Sequence, residues 1–276
     1  NIGEIKSTGL ELAVDFAAVQ NSGFTWNTGI SWTSYLQNKL VTLSDSNAGF
    51  DFGGSRDISN LGSPGQNNTP LIRIEEGADI GQIWGLVYEG ISGDGLWQFA
   101  DTNGDGMPGE NNDRAVSGSG LPTGQLGWNN SFTFGNFDAN FFLRGTFGHD
   151  LVNTFRAFYE APNQIGSYNI LSSSDPNLTD SPKFSSFHVE SGNFLRLDNA
   201  SIGYTLDLPE GSSFSKVRLY ISANNLFTIT DYQGVDPEAR LSDGDAGQFG
   251  PLAPGIDRRD TYFAVKSFSI GANIGF

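Results

Sequence analysis

"LGWNNSFTFGNFDANFFLRGTF", residues 126–147, reads as two strands and the turn between them. In its first half Leu126, Trp128, Phe132 and Phe134 share one face, against Gly127, Asn129, Ser131 and Thr133. In its second half Phe137, Ala139, Phe141, Leu143 and Phe147 oppose Asp138, Asn140, Arg144 and Thr146. A period of two is what a strand with one apolar and one polar face requires. Gly135–Asn136 supplies a tight hairpin turn.

The same alternation recurs outward in both directions. It appears in Leu10, Leu12, Val14 and Phe16; in Phe24, Trp26, Ile30 and Trp32; and in Ala200, Ile202 and Tyr204. It returns in Val217, Leu219 and Ile221, and closes the chain with Phe268, Ile270, Ala272, Ile274 and Phe276. Seven strands are expected, at 4–17, 24–36, 125–135, 137–148, 194–206, 216–227 and 262–276. Each is longer than the usual strand of about five or six residues, and long enough for the roughly 9–11 residues that cross a bilayer. A soluble β-sandwich would alternate as well, but its strands would be shorter.

Composition agrees with an all-β chain. There are 36 Gly and 22 Phe, one Met and no Cys, with 37% apolar residues. Without Cys there is no disulfide framework, thiolate metal site or thiol nucleophile. A formal charge of −16 excludes nucleic acid as a partner, because nothing would neutralise phosphates. No run of about 18 apolar residues is present, so no transmembrane helix is expected.

The connections carry the topology. Short links at 18–23, 135–136 and 207–215 alternate with long ones at 37–124, 149–193 and 228–261. Outer-membrane barrels show that rhythm, with brief periplasmic turns and extended extracellular loops. The expected fold is therefore a transmembrane antiparallel β-barrel with outer-membrane lipid against its apolar face. If the short links are periplasmic, the first strand enters from outside and the last ends in the periplasm. Single-chain bacterial barrels have an even strand number, so seven strands are expected to be the C-terminal portion of a longer barrel, with the remainder N-terminal to Asn1. Trp26, Trp32, Trp128 and Tyr204 on the apolar face suit aromatic girdles at the two interfaces. Asn27, Ser31, Asn129, Thr133, Asn140, Arg144, Arg218 and Asn224 would line a lumen. Residues 80–92 look strand-like inside the longest connection, and 149–160 suit a short helix.

"FADTNGDGMPGENND", residues 99–113, is a candidate Ca²⁺ loop. Asp101, Asn103 and Asp105 present oxygens at alternate positions before Gly106 makes the bend, with the Met107 carbonyl next. Asn112 stands where a bidentate Glu is usual, and Asp113 follows one place later. The bland alternative is an Asp/Asn/Gly turn held by its own side chains. No other cofactor is indicated. His149 and His188 sit in no metal or catalytic spacing and read as solvated loop residues, so no enzyme activity is expected. Loop aromatics such as Trp84, Trp97, Phe158, Tyr159 and Tyr232 read as packing the loops together.

Several stretches resemble the SusC/RagA family of TonB-dependent outer-membrane transporters, in its C-terminal barrel region. "NIGEIKSTGLEL" resembles N-x-G-E-x-x-N-x-G-x-E-L, with Ser7 where Asn is usual. "DTNGDG…D" resembles the family's D-x-N-G-D-G loop. "NFLRLDNASIGYTL" resembles F-L-R-L-x-N-x-x-L-G-Y-T-L, and "ANNLFTITDYQGVDPE" resembles N-L-F-x-x-T-x-Y-x-G-x-D-P-E. "FSIGANIGF" resembles the family's ending, though 262–267 lack the expected proline and arginine. The resemblance implies a barrel of about 22 strands, of which these are the last seven. It also implies a plug and TonB-contacting segment in the remaining N-terminal part, a SusD-like surface lipoprotein as partner, and uptake of oligosaccharides or peptides. The location implied is the outer membrane of a Bacteroidota-type Gram-negative cell. Phe276, with the alternating Phe268, Ile270, Ala272 and Ile274, resembles the C-terminal signal read by the barrel-assembly machinery. The alternative is a cell-surface glycan-binding or adhesive β-protein; a small passive porin would need a complete even-stranded barrel.

Overall fold

The computed structural model describes residues 3–43, 53–109, 111–239 and 242–276. Asn1 and Ile2, where the first resemblance begins, and 44–52 of the first long connection lie outside these residues.

In chain order, β1 (Glu4–Gln20) and β2 (Phe24–Thr42) form a long hairpin. β3 (Ser55–Asn60), β4 (Pro70–Glu75), β5 (Gln82–Leu86), β6 (Tyr88–Ile91), β7 (Trp97–Phe99) and β8 (Arg114–Ser119) are short. β9 (Gly124–Phe134) and β10 (Phe137–Phe147) are the hairpin first recognised in the sequence. β11 (Asp150–Asn153), α1 (Thr154–Tyr159) and β12 (Val189–Ser191) precede β13 (Phe194–Thr205) and β14 (Lys216–Thr230). β15 (Ile256–Asp257) and β16 (Ser267–Gly275) complete the chain.

Seven strands build one antiparallel sheet in the order β1-β2-β9-β10-β13-β14-β16, each beside its neighbour in the chain of long strands. The tight turn works as expected: Gly135 takes φ = 54°, at the first central position of a two-residue loop. At the β1–β2 turn the Asn21 side chain accepts the amides of Gly23 and Phe24. The register keeps apolar residues aligned across the whole sheet. Val14, Ile30, Trp128, Leu143, Leu197 and Phe227 form one continuous row. Asn27, Ser131, Asn140, Ser201, Ser222 and Ser269 form a row on the opposite face.

The apolar face is exposed. Leu12, Ile202 and Ile270 are 61%, 53% and 85% accessible, so this sheet is not the core of a soluble domain. Among the described residues, nothing pairs with the outer sides of the two edge strands, β1 and β16. No helix is long and apolar enough to cross a membrane, among the described residues.

The hydrophobic core lies elsewhere. Antiparallel order sends all three long connections from the same end of the sheet, where they pack into a cap. A four-stranded sheet β3-β4-β5-β8 and a three-stranded sheet β12-β11-β15 enclose Leu61, Leu71, Ile72, Ile74, Ile83, Val152, Phe184 and Ile256. Leu40 and Leu43 join this core, which explains why β2 runs to Thr42 instead of ending near residue 36. The strand-like stretch 80–92 is β5 and β6, inside the cap. The helix expected over 149–160 is shorter, because β11 claims Asp150–Asn153; Asn153 then caps α1 by accepting the Arg156 amide.

The last strand also departs from expectation, beginning at Ser267 rather than 262. Asn225 adopts φ = 52°, and pairing of β14 with β16 stops at Asn224–Ser267. Above that point the chain is held by side chains instead: Asn225 Nδ2 donates to the Val265 carbonyl, and the Ala264 amide donates to Asp236. On the other side, Asp198 is an extra residue of β13 against β10, between Leu197 and Asn199, whereas against β14 the extra residue lies on β14, where Asn225 and Leu226 stand opposite Asp198 alone.

Candidate functional site

The junction of the sheet's polar face with the cap holds the buried Arg196 and Asp236. All eight residues read as a lumen lining share this face. Two of them, Asn140 and Asn224, are joined sideways by hydrogen bonds: Asn199 to Asn224 at 2.8 Å, Asn224 to Ser267 at 3.1 Å, and Asn140 to Ser201 at 2.9 Å. Arg218 reaches across β13 to Asp138. It passes directly over Gly203, where a Cβ would lie 2.3 Å from the guanidinium, so the glycine is needed for the bridge. The surface is hydrophilic with few uncompensated charges.

At the cap end of this face five charged side chains form a clamp. Arg196 is buried and donates to Thr228 (2.9 Å), Asp236 (2.5 Å) and Glu238 (3.0 Å). Arg144, directly opposite Arg196 across the strand pair, donates through both Nη atoms to Glu238 (2.7 and 2.6 Å) and through Nε to Asp198 (3.0 Å). The clamp fixes residues 231–239, a strap crossing from β14 toward the cap. Phe194 lies beneath both guanidiniums. Thus "FLRL" and "DPE", two motifs that the sequence shows only separately, are the two halves of one ion cluster. Sequence reading missed it; the signal was an arginine in each of two adjacent strands and two acids flanking a proline.

Within the strap, Tyr232 is buried and donates to Asp257 at 2.6 Å. Burial, with the charges of Asp236 and Glu190 adding to it against the Tyr232 bond, raises the Asp257 carboxyl to about 6. Nearby, Arg156 bridges Glu160 and Glu190, both at 2.8 Å, which anchors α1.

The histidines differ from expectation. His188 is buried among Trp97, Phe184 and Phe187, and burial followed by the Arg156 charge pushes it down to about 3. His149 is also buried and lowered by burial. Neither is a solvated loop residue, because each packs where a connection folds back on the cap. Among the loop aromatics, Trp97 and Tyr232 are buried in packing, Trp84 lies under Arg73, and Phe158 stacks beneath Arg259.

Residues 101–106 wrap around the carboxylate of Asp101. Its oxygens accept the amides of Gly104, Asp105 and Gly106. Asp105 accepts the Met107 amide, which holds its carboxyl below the usual range with help from Asn103 and Asn112. Asp113 is buried and accepts the amides of Thr102 and Asn103. Among the described residues no three acidic or histidine side chains converge as a metal cage.

On the apolar face, Tyr204 lies beside Phe137 near the tight-turn end, and Trp32 lies toward the cap end beside Phe147. Trp26 and Trp128 sit between them and donate sideways along the same face, to Asn130 (3.0 Å) and Thr28 (2.9 Å). Those two buried polar residues were not foreseen. Phe268, Ile270, Ala272 and Ile274 alternate along β16, and the Phe276 ring lies 5.5 Å from that of Phe214.

No family model matches the chain. Among characterised proteins it is 32% identical to "TonB-dependent receptor P3" of Formosa agariphila, over 100% of this chain and 29% of that protein. It is 24% identical to "TonB-dependent receptor SusC" of Bacteroides thetaiotaomicron, over 87% of this chain and 25% of that protein. Among solved structures it superposes on the RagAB peptide transporter with a TM-score of 0.79, at 20% identity, over 100% of this chain and 30% of that one. The chain therefore spans about a third or less of the length of the relatives it matches.

Proposed function

The chain is a SusC/RagA-type TonB-dependent barrel sequence, and from that premise we propose that it forms the C-terminal wall of an outer-membrane nutrient transporter. The observation that carries this reading is the sheet itself: seven long strands with one continuous exposed apolar face, one hydrophilic face, and every long connection at one end. In a bilayer the apolar face meets acyl chains and the hydrophilic face meets water. Further strands of the complete protein would pair with the open edges of β1 and β16 and remove them.

Under this reading the cap is extracellular and faces a SusD-like lipoprotein, and the solutes are oligosaccharides or peptides. TonB, acting on the plug of the complete protein, supplies the energy. Tyr204 and Trp32 are the girdle residues best placed for the two interfaces, and the alternating apolar residues of β16 with Phe276 serve barrel assembly. The 101–113 loop is proposed to take Ca²⁺ through Asp101, Asn103, Asp105, the Met107 carbonyl and Asp113, stiffening the cap.

The test is uptake of fluorescently labelled oligosaccharides and peptides by cells carrying the full-length protein, with and without TonB. Uptake of one class that stops when TonB is removed is the expected result. Uptake that persists without TonB would make the protein a passive pore, and no uptake with binding to intact cells would favour an adhesive role.

A further inference from the structure

Beside the clamp lies a cavity of about 120 Å³, on the polar face just below the cap. This approaches the roughly 150 Å³ that accommodates a six-membered ring in a protein interior. Gln125, Arg144, Thr146, His149 and Glu238 line it. Its protein groups are biased toward donation. Gln125 uses its Oε1 to accept the Tyr35 hydroxyl at 3.2 Å, which leaves its amide nitrogen without a protein partner among the described residues. Thr146, paired with Gln125 across the β9–β10 hairpin, has a hydroxyl in the same condition. Arg144 brings a planar two-pronged edge. Among the described residues the one anion lining the cavity is Glu238, and it belongs to the strap.

Glu238 differs from the other acids of the clamp. Its side chain is 45% exposed, against 11% for Asp236. If Glu238 swings away, neither arginine loses its anchor: Arg144 keeps Asp198, and Arg196 keeps Asp236 and Thr228. The strap keeps its anchor too, because Asp236 still accepts the amides of Glu238 and Ala264. The guanidinium edge of Arg144 is thus held in position independently of the carboxylate that covers it.

We propose that Glu238 is an internal stand-in for a ligand, and that Arg144, Gln125 and Thr146 form a subsite for a carboxylate or sulfate group on the transported solute. The exchange makes no covalent bond: one oxyanion replaces another on the same fork, so Arg144 is never left without a counter-charge. The subsite rests on the transport reading above, but binding to purified protein does not depend on TonB, so the two fail separately.

The experiment is binding to the full-length protein in detergent, followed by ligand-observed NMR. The probes are glucuronate, glucose 6-sulfate, glucose, and trialanine with a free or an amidated C-terminus. Glu238→Gln uncovers the fork and is expected to tighten anionic probes by about tenfold. Arg144→Gln is expected to abolish their binding. A merely structural clamp would move both variants in the same direction. Gln125→Leu, which leaves every clamp contact in place, is expected to weaken the anionic probes and guards against misfolding of the clamp variants. Preference for glucuronate or the sulfate identifies an acidic saccharide as the source; preference for free trialanine over the amide identifies a peptide terminus. Equal binding of charged and neutral probes, no binding of any probe to Glu238→Gln, or weakening in Glu238→Gln would each overturn the proposal.

Discussion

Replacing Arg196 by Met tests whether the clamp holds the strap. Arg196 is buried, and its guanidinium serves three partners at once: Thr228, Asp236 and Glu238. Removing it leaves Asp236 buried with two backbone amides but no counter-charge. Breaking a buried pair in this way costs about 3–5 kcal/mol, and with tenfold per ~1.4 kcal/mol strap opening should rise about a hundredfold or more. Met fills similar volume, so lost packing is a small part of the effect. Arg144→Met is the control: that side chain is 28% exposed, and its ion pairs should contribute about 1 kcal/mol or less. Hydrogen exchange of the Glu238 and Ala264 amides, in the full-length protein, reads the difference. Both amides donate to Asp236, so both should lose protection together in Arg196→Met. The barrel should stay assembled, because the strand pairing around Arg196 is backbone-made. Adding Asp236→Asn should recover part of the loss by removing the uncompensated charge. Wild-type protection in Arg196→Met would refute the assignment, as would equal losses in Arg144→Met.

Two further outcomes are expected. The Asp257 carboxyl stands at about 6 in the folded cap, above its unfolded value near 3.9. The folded cap therefore binds the extra proton between about pH 4 and 6, and that contribution, of order 3 kcal/mol in full, grows as pH falls through 6 and is absent above it. Comparing cap exchange rates at pH 7 and pH 5 should show this slope in the wild type and lose it in Asp257→Asn; identical slopes would contradict it. For the 101–113 loop, calorimetry of the full-length protein should detect Ca²⁺ binding that Asp101→Asn with Asp105→Asn eliminates while the barrel remains assembled. An unchanged titration in that variant would remove the loop as the site.

Much of the wall was legible because a strand with lipid on one side and water on the other writes a period of two into its residues, as 126–147 does. The cap was less legible. Its strands are two to six residues long and irregular in pattern, so "PLIRIE" fell within an expected connection although Leu71, Ile72 and Ile74 are buried in the core. The length of β2 follows from burial of Leu40 and Leu43 against residues far along the chain, which no local pattern records. The histidines misled for the same reason: spacing says nothing about Trp97 and Phe187 closing over His188. The late start of β16 was hidden in Asn225, whose left-handed backbone ends the pairing. The clamp was visible only as motifs, because Arg196 and Glu238 meet through the fold.

The reading of the sheet as a barrel wall makes one demand that nothing else in the protein would satisfy. This chain contains no Cys, so cysteines placed one at a time along β9 and β10 report each face without background from it. In the full-length protein reconstituted in lipid vesicles, Cys at Ser131, Thr133 and Asn140 should react with a water-soluble maleimide. Cys at Phe132, Ala139 and Phe141 should resist it, and a spin label there should be broadened by oxygen dissolved in the bilayer. Alternation of the two signals, residue by residue, is the predicted result. Equal access of the water-soluble reagent to both sets would contradict a membrane-spanning wall.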